Sequence, residues 1–172
     1  SSWQLLLMPL REEDIEFSVP DTTELPADPA LSVRPLRREP GGFYVRAGHP
    51  LTKVRTPTLQ QALDYGVLAI RLPSGVRNTL ARVLGLASGD DLRLALECDD
   101  VKLLARVTLG CDSVLVAAHA TVAAEVAAGQ LHLLEMPELP KLQAHTGIVM
   151  LQGRTPSPMA QLIIGRLPES RP

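Results

Sequence analysis

Two predicted helix starts carry polar residues that could bind a small ligand. Ser74 and Gly75 follow an apolar run, residues 67–72, and open a segment with helical periodicity. Unpaired N–H groups and the positive end of the helix dipole at such a position favour a carboxylate or another anion. Arg77, about one turn further, could pair with that anion through its forked guanidinium group. Ser74 could equally be a simple N-cap and Arg77 a solvated surface charge, so both interpretations stay open.

Asp99 and Asp100 occupy the corresponding place after the next predicted strand. Residues 92–97 alternate apolar and polar types, and the acidic pair precedes an apolar-periodic segment that stops at Gly110. Carboxylates suit a helix N-terminus because they accept hydrogen bonds from its unpaired N–H groups. The pair could therefore cap the helix, or it could accept hydrogen bonds from a ligand hydroxyl or amine.

Other reactive side chains form no pattern that is typical of catalysis. The four histidines are dispersed, with no HExxH motif and no pair at i and i+4: His49, His119, His132 and His145. Cys98 and Cys111 form no CxxC pair, and the chain contains no GxSxG, Walker or GxGxxG motif. We therefore predict no metal site, no cofactor and no enzymatic activity.

The segments around these residues predict an α/β fold. Apolar runs and helix-period segments alternate from residue 67 onward in the order β-α-β-α-β-α-β, which is typical of parallel βαβ units. Strands are predicted at residues 67–72, 92–97, 113–117 and 131–135, with helices over 76–86, 101–109 and 119–128. Outside this region we predict helices at 2–10 and 157–167, strands at 15–19, 31–36 and 147–151, and a frayed tail from 168.

Composition narrows the functional classes. Hydrophobic residues make up 45% of the 172 and charged residues 21%, which is ordinary for a folded globular protein. A formal charge of -2 is the wrong sign for a surface that grips DNA by displacing counterions from phosphates. No apolar run approaches the roughly 20 residues of a membrane helix, and no signal peptide is visible. The two cysteines suit a reducing cytoplasm.

A series of short motifs resembles a known family. Gly48-His49-Pro50-Leu51, followed by Thr58-Leu59 at a helix start and Asp64-Tyr65 before a strand, is similar to the effector-binding domain of LysR-type transcriptional regulators. Further stretches resemble that family in the same order and together cover nearly the whole chain: REEDIEFSVPD, LSVRPLRREP, LPSGVRNTL, LECDDVKLLARVTLG, VAAEVAAGQLHLLEMPELP and GRTPSPMAQLII.

The resemblance implies two Rossmann-like lobes of the type 2 periplasmic-binding-protein kind, joined by crossover strands near residues 42–47 and 147–151. The ligand is expected in the cleft between the lobes. Residues 52–146 are expected to form lobe two, with 1–47 and 148–172 as an incomplete lobe one. The family's DNA-binding helix-turn-helix, its linker helix and the first strand, helix and strand of lobe one have no counterpart here, which indicates a truncated piece.

The same resemblance places further residues at the expected effector site. Ser18, or its neighbour Glu16, is expected on a lobe-one strand that approaches the cleft. Ser113 ends a loop in which Asp112 stands where the family usually has a second glycine. The predicted effector-binding set is Ser74, Gly75, Arg77, Asp99, Asp100, Ser18 and Ser113. One branch of the family switches through a disulfide, but its motif is absent around Cys98 and Cys111, which disfavours redox sensing.

The function that the resemblance implies is effector sensing in a cytoplasmic transcriptional regulator. The expected partners are a small-molecule effector, DNA through the missing helix-turn-helix domain only, and further copies of the full-length chain, with no membrane. A solute-binding receptor of the same fold is the alternative, and would carry a secretion signal or a lipid-attachment cysteine. An enzyme on this fold would need a site residue with a strongly shifted pKa.

Overall fold

The structure is a computed structural model that describes residues 2–167, and for residues 2–6 the backbone alone. The frayed tail predicted from residue 168 lies outside that range. The described elements follow one another in this order: α1 (Ser2–Arg11), β1 (Leu31–Pro35), β2 (Glu39–Arg46), α2 (Leu59–Asp64), β3 (Val67–Ala69), α3 (Ser74–Val83), β4 (Leu96–Glu97), α4 (Val101–Gly110), β5 (Val114–Ala118), α5 (His119–Ala127), β6 (Leu131–Leu134), β7 (Gln143–Ala144), β8 (Gly147–Leu151) and α6 (Pro158–Ile164).

The chain divides into two compact units. Unit one combines the described residues up to Arg38 with those from Ala144 onward, and unit two is Glu39–Gln143. Unit one contains α1, the antiparallel pair β1 and β8, and α6. Its core consists of two small apolar clusters, one around Leu10, Leu31 and Val149 and the other around Ile148 and Ile164.

Unit two is built on a mixed sheet whose main path runs β4-β3-β5-β2-β6. Strand β3 pairs in parallel with β4 and β5, whereas β2 pairs antiparallel with both β5 and β6. Strands β3, β4, β5 and β6 therefore point the same way. We call the edge at which these four strands end the carboxyl edge, and the opposite edge the amino edge. The predicted β-α-β-α-β-α-β order is confirmed.

Both faces of this sheet are buried under helices. Successive residues of a strand point to opposite faces, and on β5 Val114 and Val116 enter one cluster while Leu115 and Ala117 enter the other. Helices α2 and α3 contribute to the first cluster, and α4 and α5 to the second. This arrangement explains why the strands of unit two read as apolar runs in the sequence.

Three predicted strands are wrong or too long, and one of them, predicted at 67–72, already ends at Ala69. Residues 15–19 form only an isolated bridge, Ser18 to Val149, because Pro20 has no N–H to donate and Ile15 and Val19 remain partly exposed. The strand predicted at 92–97 shrinks to Leu96–Glu97. This strand pairs with β3 alone, and a 3-10 turn at Gly89–Asp91 immediately precedes the segment that was predicted as a strand.

The predicted N-cap of α3 is displaced by one residue. The N–H groups of Val76 and Arg77 both donate to the carbonyl of Pro73, at 3.0 Å each. Since an N-cap carbonyl accepts the first bonds of its helix, Pro73 is the cap and Ser74 is already helical. Asp100 caps α4, which is one of the two roles considered for the acidic pair, and Ser157 caps α6. Helix α4 ends at Gly110 as expected.

Candidate functional site

Four of the predicted site residues lie at the carboxyl edge of unit two. Ser74 and Gly75 follow β3, and Asp99 and Asp100 follow β4. The two strands lie side by side with Ala69 opposite Glu97, so their exits are neighbours. All four residues are exposed. In open α/β sheets ligands bind outside the carboxyl ends of the strands, which makes this edge the candidate site.

The two helix starts at this edge differ in how they are closed. Asp100 Oδ1 accepts hydrogen bonds from the N–H groups of Lys102 and Leu103, both at 3.0 Å, and so caps α4. The cap position of α3 makes no side-chain hydrogen bond to its helix. A Cβ built on Gly75 would meet no atom within 4 Å, so the backbone there can be approached closely. The N-terminus of α3 is therefore the more accessible one.

Arg77 is held within unit two. Its Nε donates to the carbonyl of Gly89 at 3.3 Å, and one Nη donates to the carbonyl of Leu92 at 3.0 Å. The other Nη lies 3.2 Å from a carboxylate oxygen of Glu97. The side chain is thus not a solvated charge, because it ties α3 to the segment that leads into β4. An anionic ligand would have to compete with Glu97 for it.

Ser113 lies at the amino edge, away from the other predicted residues of unit two. It precedes β5 and is buried, and its Oγ accepts from the thiol of Cys111 at 3.3 Å. The loop from α4 into β5 necessarily reaches the start of that strand, whereas Ser74 and Asp100 follow strand ends. The structure therefore does not bring Ser113 together with them.

The unusual Asp112 also lies at the amino edge and has a structural role. Its carboxylate pairs with Arg46 at 2.6 Å, and its carbonyl contacts Nε2 of the buried His49 at 3.2 Å. Nδ1 of His49 accepts from the N–H of Leu51, so both ring nitrogens are occupied. Asp112 therefore lies away from the carboxyl edge, at the opposite end of the strands.

In unit one, Ser18 and Glu16 behave differently. The Glu16 carboxylate accepts from the hydroxyl of Ser157 at 2.7 Å and from its N–H at 2.6 Å, and these hydrogen bonds lower the pKa of Glu16. Glu16 therefore helps to close the start of α6. Ser18 is 8% exposed, and its hydroxyl is buried with no hydrogen-bond partner within residues 2–167. Of the two, Ser18 is the one whose side-chain oxygen lacks a hydrogen-bond partner in this range.

Sequence reasoning missed a pair of residues at the end of β5. His119 begins α5 there, and its Nδ1 lies 3.2 Å from the hydroxyl of the fully buried Tyr44. Burial raises the pKa of Tyr44. Ser74 and Asp99 were selected because each is a polar residue that follows one of the parallel strands. The same rule applied to the third of these strands, β5, selects His119. The contact with Tyr44 is non-local and carries no sequence signal.

The two cysteines flank α4 and cannot pair within one chain. Cys98 precedes the helix and Cys111 follows its ten residues, which at about 1.5 Å per residue separates their Cα atoms by roughly 15 Å or more. A disulfide requires Cα atoms within about 7 Å. Among the residues that the structure describes, no group of His, Cys, Asp and Glu is arranged to hold a metal ion. No helix in the same range is long and apolar enough to cross a membrane.

Comparison with known proteins agrees with this geometry. The chain is 35% identical over 167 residues to an SDS degradation transcriptional activation protein from a Pseudomonas species, covering 95% of the chain and 53% of that protein. The chain thus spans about half the length of this curated relative, which is named as a regulator of transcription rather than an enzyme.

Solved structures share the fold at low sequence identity. The effector-binding domain of QuiR, in complex with shikimate, superimposes with a TM-score of 0.66 at 16% identity, over 94% of this chain and 74% of that one. The regulatory domain of CrgA, a LysR-type regulator from Neisseria meningitidis, gives 0.69 at 13%, over 92% and 76%. The predicted fold, α/β and like that of periplasmic binding proteins, is confirmed.

The match to a family profile covers nearly the whole chain. The profile described as the LysR substrate binding domain aligns with residues 3–171. It includes the GHPL turn around His49 and the carboxyl edge with Ser74 and Asp100. The resemblance seen in the sequence motifs is thereby confirmed, and the chain belongs to the LysR substrate-binding domain family.

Proposed function

We propose that this chain is the effector-sensing domain of a LysR-type transcriptional regulator, and that its effector contacts the carboxyl edge of unit two. The observation that carries the proposal is the open start of α3. The N-cap residue Pro73 makes no side-chain hydrogen bond to the helix, and Gly75 leaves free space above the backbone. A helix N-terminus in this condition offers N–H groups and a positive dipole end to an anion. The effector we propose is a small, polar molecule with an acidic group.

Each predicted site residue has a different part in this proposal. Gly75 gives access to the backbone, and Ser74 stands beside it at the first helical position. Asp99 is exposed, follows β4, and would accept from a hydroxyl or amine of the same ligand. Ser18 lies in unit one, where its hydroxyl is buried. Asp100 and Arg77 hold the edge in shape, and Ser113 has no part in it.

The wider assignments follow from family membership and are proposals for the longer protein. Residues 52–146 correspond to lobe two, and residues 1–47 with 148–172 to lobe one. Effector binding would shift the equilibrium between arrangements of the regulator in proportion to its differential affinity for them. DNA contact through an attached helix-turn-helix, homo-oligomers and a cytoplasmic location belong to the same proposal. Because the curated relative is a regulator, a solute receptor is the less favoured alternative.

A charge test at Gly75 separates ligand binding from stability. The variants Gly75→Asp and Gly75→Asn are nearly equal in size and differ in charge. The new carboxylate lies in the first turn of α3, so we expect it to stabilise the free chain by about 0.5 kcal/mol while it repels an anionic effector. The neutral amide should leave binding largely intact.

The measurement is the melting temperature of the chain with a panel of small carboxylates and sulfates, shikimate included. A ligand at 100 times its Kd adds about 2.7 kcal/mol to the stability of the native state. We expect a saturable rise in Tm that Gly75→Asn retains and Gly75→Asp loses. A panel without any saturable rise would contradict an anionic effector, and an undiminished rise in Gly75→Asp would place the ligand elsewhere.

A further inference from the structure

Tyr44 contacts the carboxyl edge from inside the core. It lies on β2 and is 1% exposed, yet its hydroxyl is 3.2 Å from Nδ1 of His119 at the first position of α5. His119 is only half buried. We infer that Tyr44 is a positioning residue that orients His119 as a hydrogen-bond donor to an acceptor oxygen of the effector. This inference rests on the function proposed above.

The register of the sheet explains how a core tyrosine reaches the edge. Strand β2 begins at the carboxyl edge, where Gly41 pairs with Ala118, and Tyr44 pairs with Leu115 deeper in the sheet. The tyrosine side chain points back toward the start of its strand. This is shown by its hydroxyl, which would lie 3.4 Å from a Cβ built on Gly42. The phenol thus passes Gly42 and ends beside His119, the residue that follows β5.

The direction of the hydrogen bond determines the tautomer of His119. Burial raises the pKa of Tyr44, so the phenol keeps its proton at neutral pH and needs an acceptor. Nδ1 of His119 is the acceptor that the structure provides. A ring that accepts at Nδ1 carries its proton on Nε2. Since Nδ1 faces the buried phenol, Nε2 and its proton point away from the core.

The surroundings of His119 favour an oxyanion as the group that it meets. Helix α5 begins after Ala118, which supplies no side-chain cap, so the N–H groups and positive dipole end of a nine-residue helix stand beside the imidazole. In the order of strands, β5 lies next to β3, whose exit leads to Gly75. The exits of these two neighbouring strands therefore carry an imidazole N–H and two helix starts of the same polarity, which favour an oxyanion.

The decisive variant is Tyr44→Phe, which keeps the ring and removes the hydroxyl. Tyr65→Phe is the matched control, because Tyr65 is 40% exposed and packs on His49 at the amino edge. Nitrogen-15 NMR of the histidine rings reports the tautomer directly. We expect the Nε2–H form of His119 in the unaltered chain and in Tyr65→Phe, and a mixture of both tautomers in Tyr44→Phe. The Nδ1–H form in the unaltered chain would overturn the inference.

Titration with sodium acetate, against sodium chloride at equal ionic strength, tests the recognition step. We expect acetate to shift the His119 ring signals and the Gly75 amide saturably, with affinity roughly fivefold weaker in Tyr44→Phe. A response of Gly75 without one of His119 overturns the inference and leaves the proposed function standing. If neither the His119 ring nor the Gly75 amide responds to acetate, both the inference and the proposed anion site are wrong.

A second pair of variants covers the case in which Tyr44→Phe does not fold. His119→Gln retains an N–H donor on the side chain, and His119→Leu removes every polar atom. With the Gly75 amide as readout, we expect the acetate response to persist in His119→Gln and to weaken in His119→Leu. Equal responses in the two variants would contradict a donor role for His119.

Discussion

The two edges of the sheet in unit two hold polar residues in opposite conditions. At the amino edge several groups are engaged with one another: both nitrogens of His49 are bonded, Arg46 pairs with Asp112, and Cys111 donates to Ser113. At the carboxyl edge, α3 has no side-chain cap and Gly75 has open space above it. Buried polar groups must find partners within the fold, so the amino edge is structural. The open groups of the carboxyl edge are those that a ligand can use.

Substitution of His49 should give the largest loss of stability, because it removes a fully buried side chain with two hydrogen bonds. In His49→Ala the N–H of Leu51 and the carbonyl of Asp112 lose their partner. We expect a loss of about 3 kcal/mol in the free energy of unfolding, measured by urea denaturation. The exposed His132→Ala is the control and should change stability by less than about 0.5 kcal/mol. Equal effects of the two substitutions would remove the contrast between the edges.

Asp100 is one of the groups at the carboxyl edge that already have partners, because its carboxylate bonds two N–H groups of α4. Asp100→Ala should therefore cost about 1 kcal/mol, the usual effect of losing an N-cap, and Asp100→Asn should cost less. The neighbouring Asp99→Ala is the matched control, expected within about 0.5 kcal/mol of the unaltered chain. A larger loss of stability in Asp99→Ala than in Asp100→Ala would contradict the assignment of Asp100 as the N-cap of α4. Thermal and urea unfolding both report the difference.

The ion pair between Arg46 and Asp112 should have the smallest effect. Both side chains remain partly in water, at 33% and 43% exposure, so solvent screens their attraction. A double-mutant cycle with Arg46→Gln and Asp112→Asn should give a coupling energy of about 0.5 kcal/mol or less, decreasing with added salt. A coupling above about 2 kcal/mol that resists salt would mean that the pair acts as a buried contact.

Local pattern predicted most of the elements. Three features depend only on residues within one or two helical turns of each other. These are the alternation of strands and helices along unit two, the caps at Asp100 and Ser157, and the end of α4 at Gly110. Residues 15–19 have the composition of a strand but form one bridge, because pairing depends on Val149, far away in the chain. The same reason applies to the strand expected at 92–97, which has a single neighbour.

The sequence alone determined family membership and the α/β fold, because motifs and periodicity are local properties of the chain. For the same reason it also identified the polar residues that follow β3 and β4, namely Ser74, Asp99 and Asp100. Only the tertiary structure decided which end of the sheet each residue occupies. It separates Ser113 from Ser74 and engages Arg77 with Glu97. It also brings the phenol of Tyr44 to His119, 75 residues away. The direction of each strand and the register of β2 against β5 set these distances, and both arise from packing between distant segments.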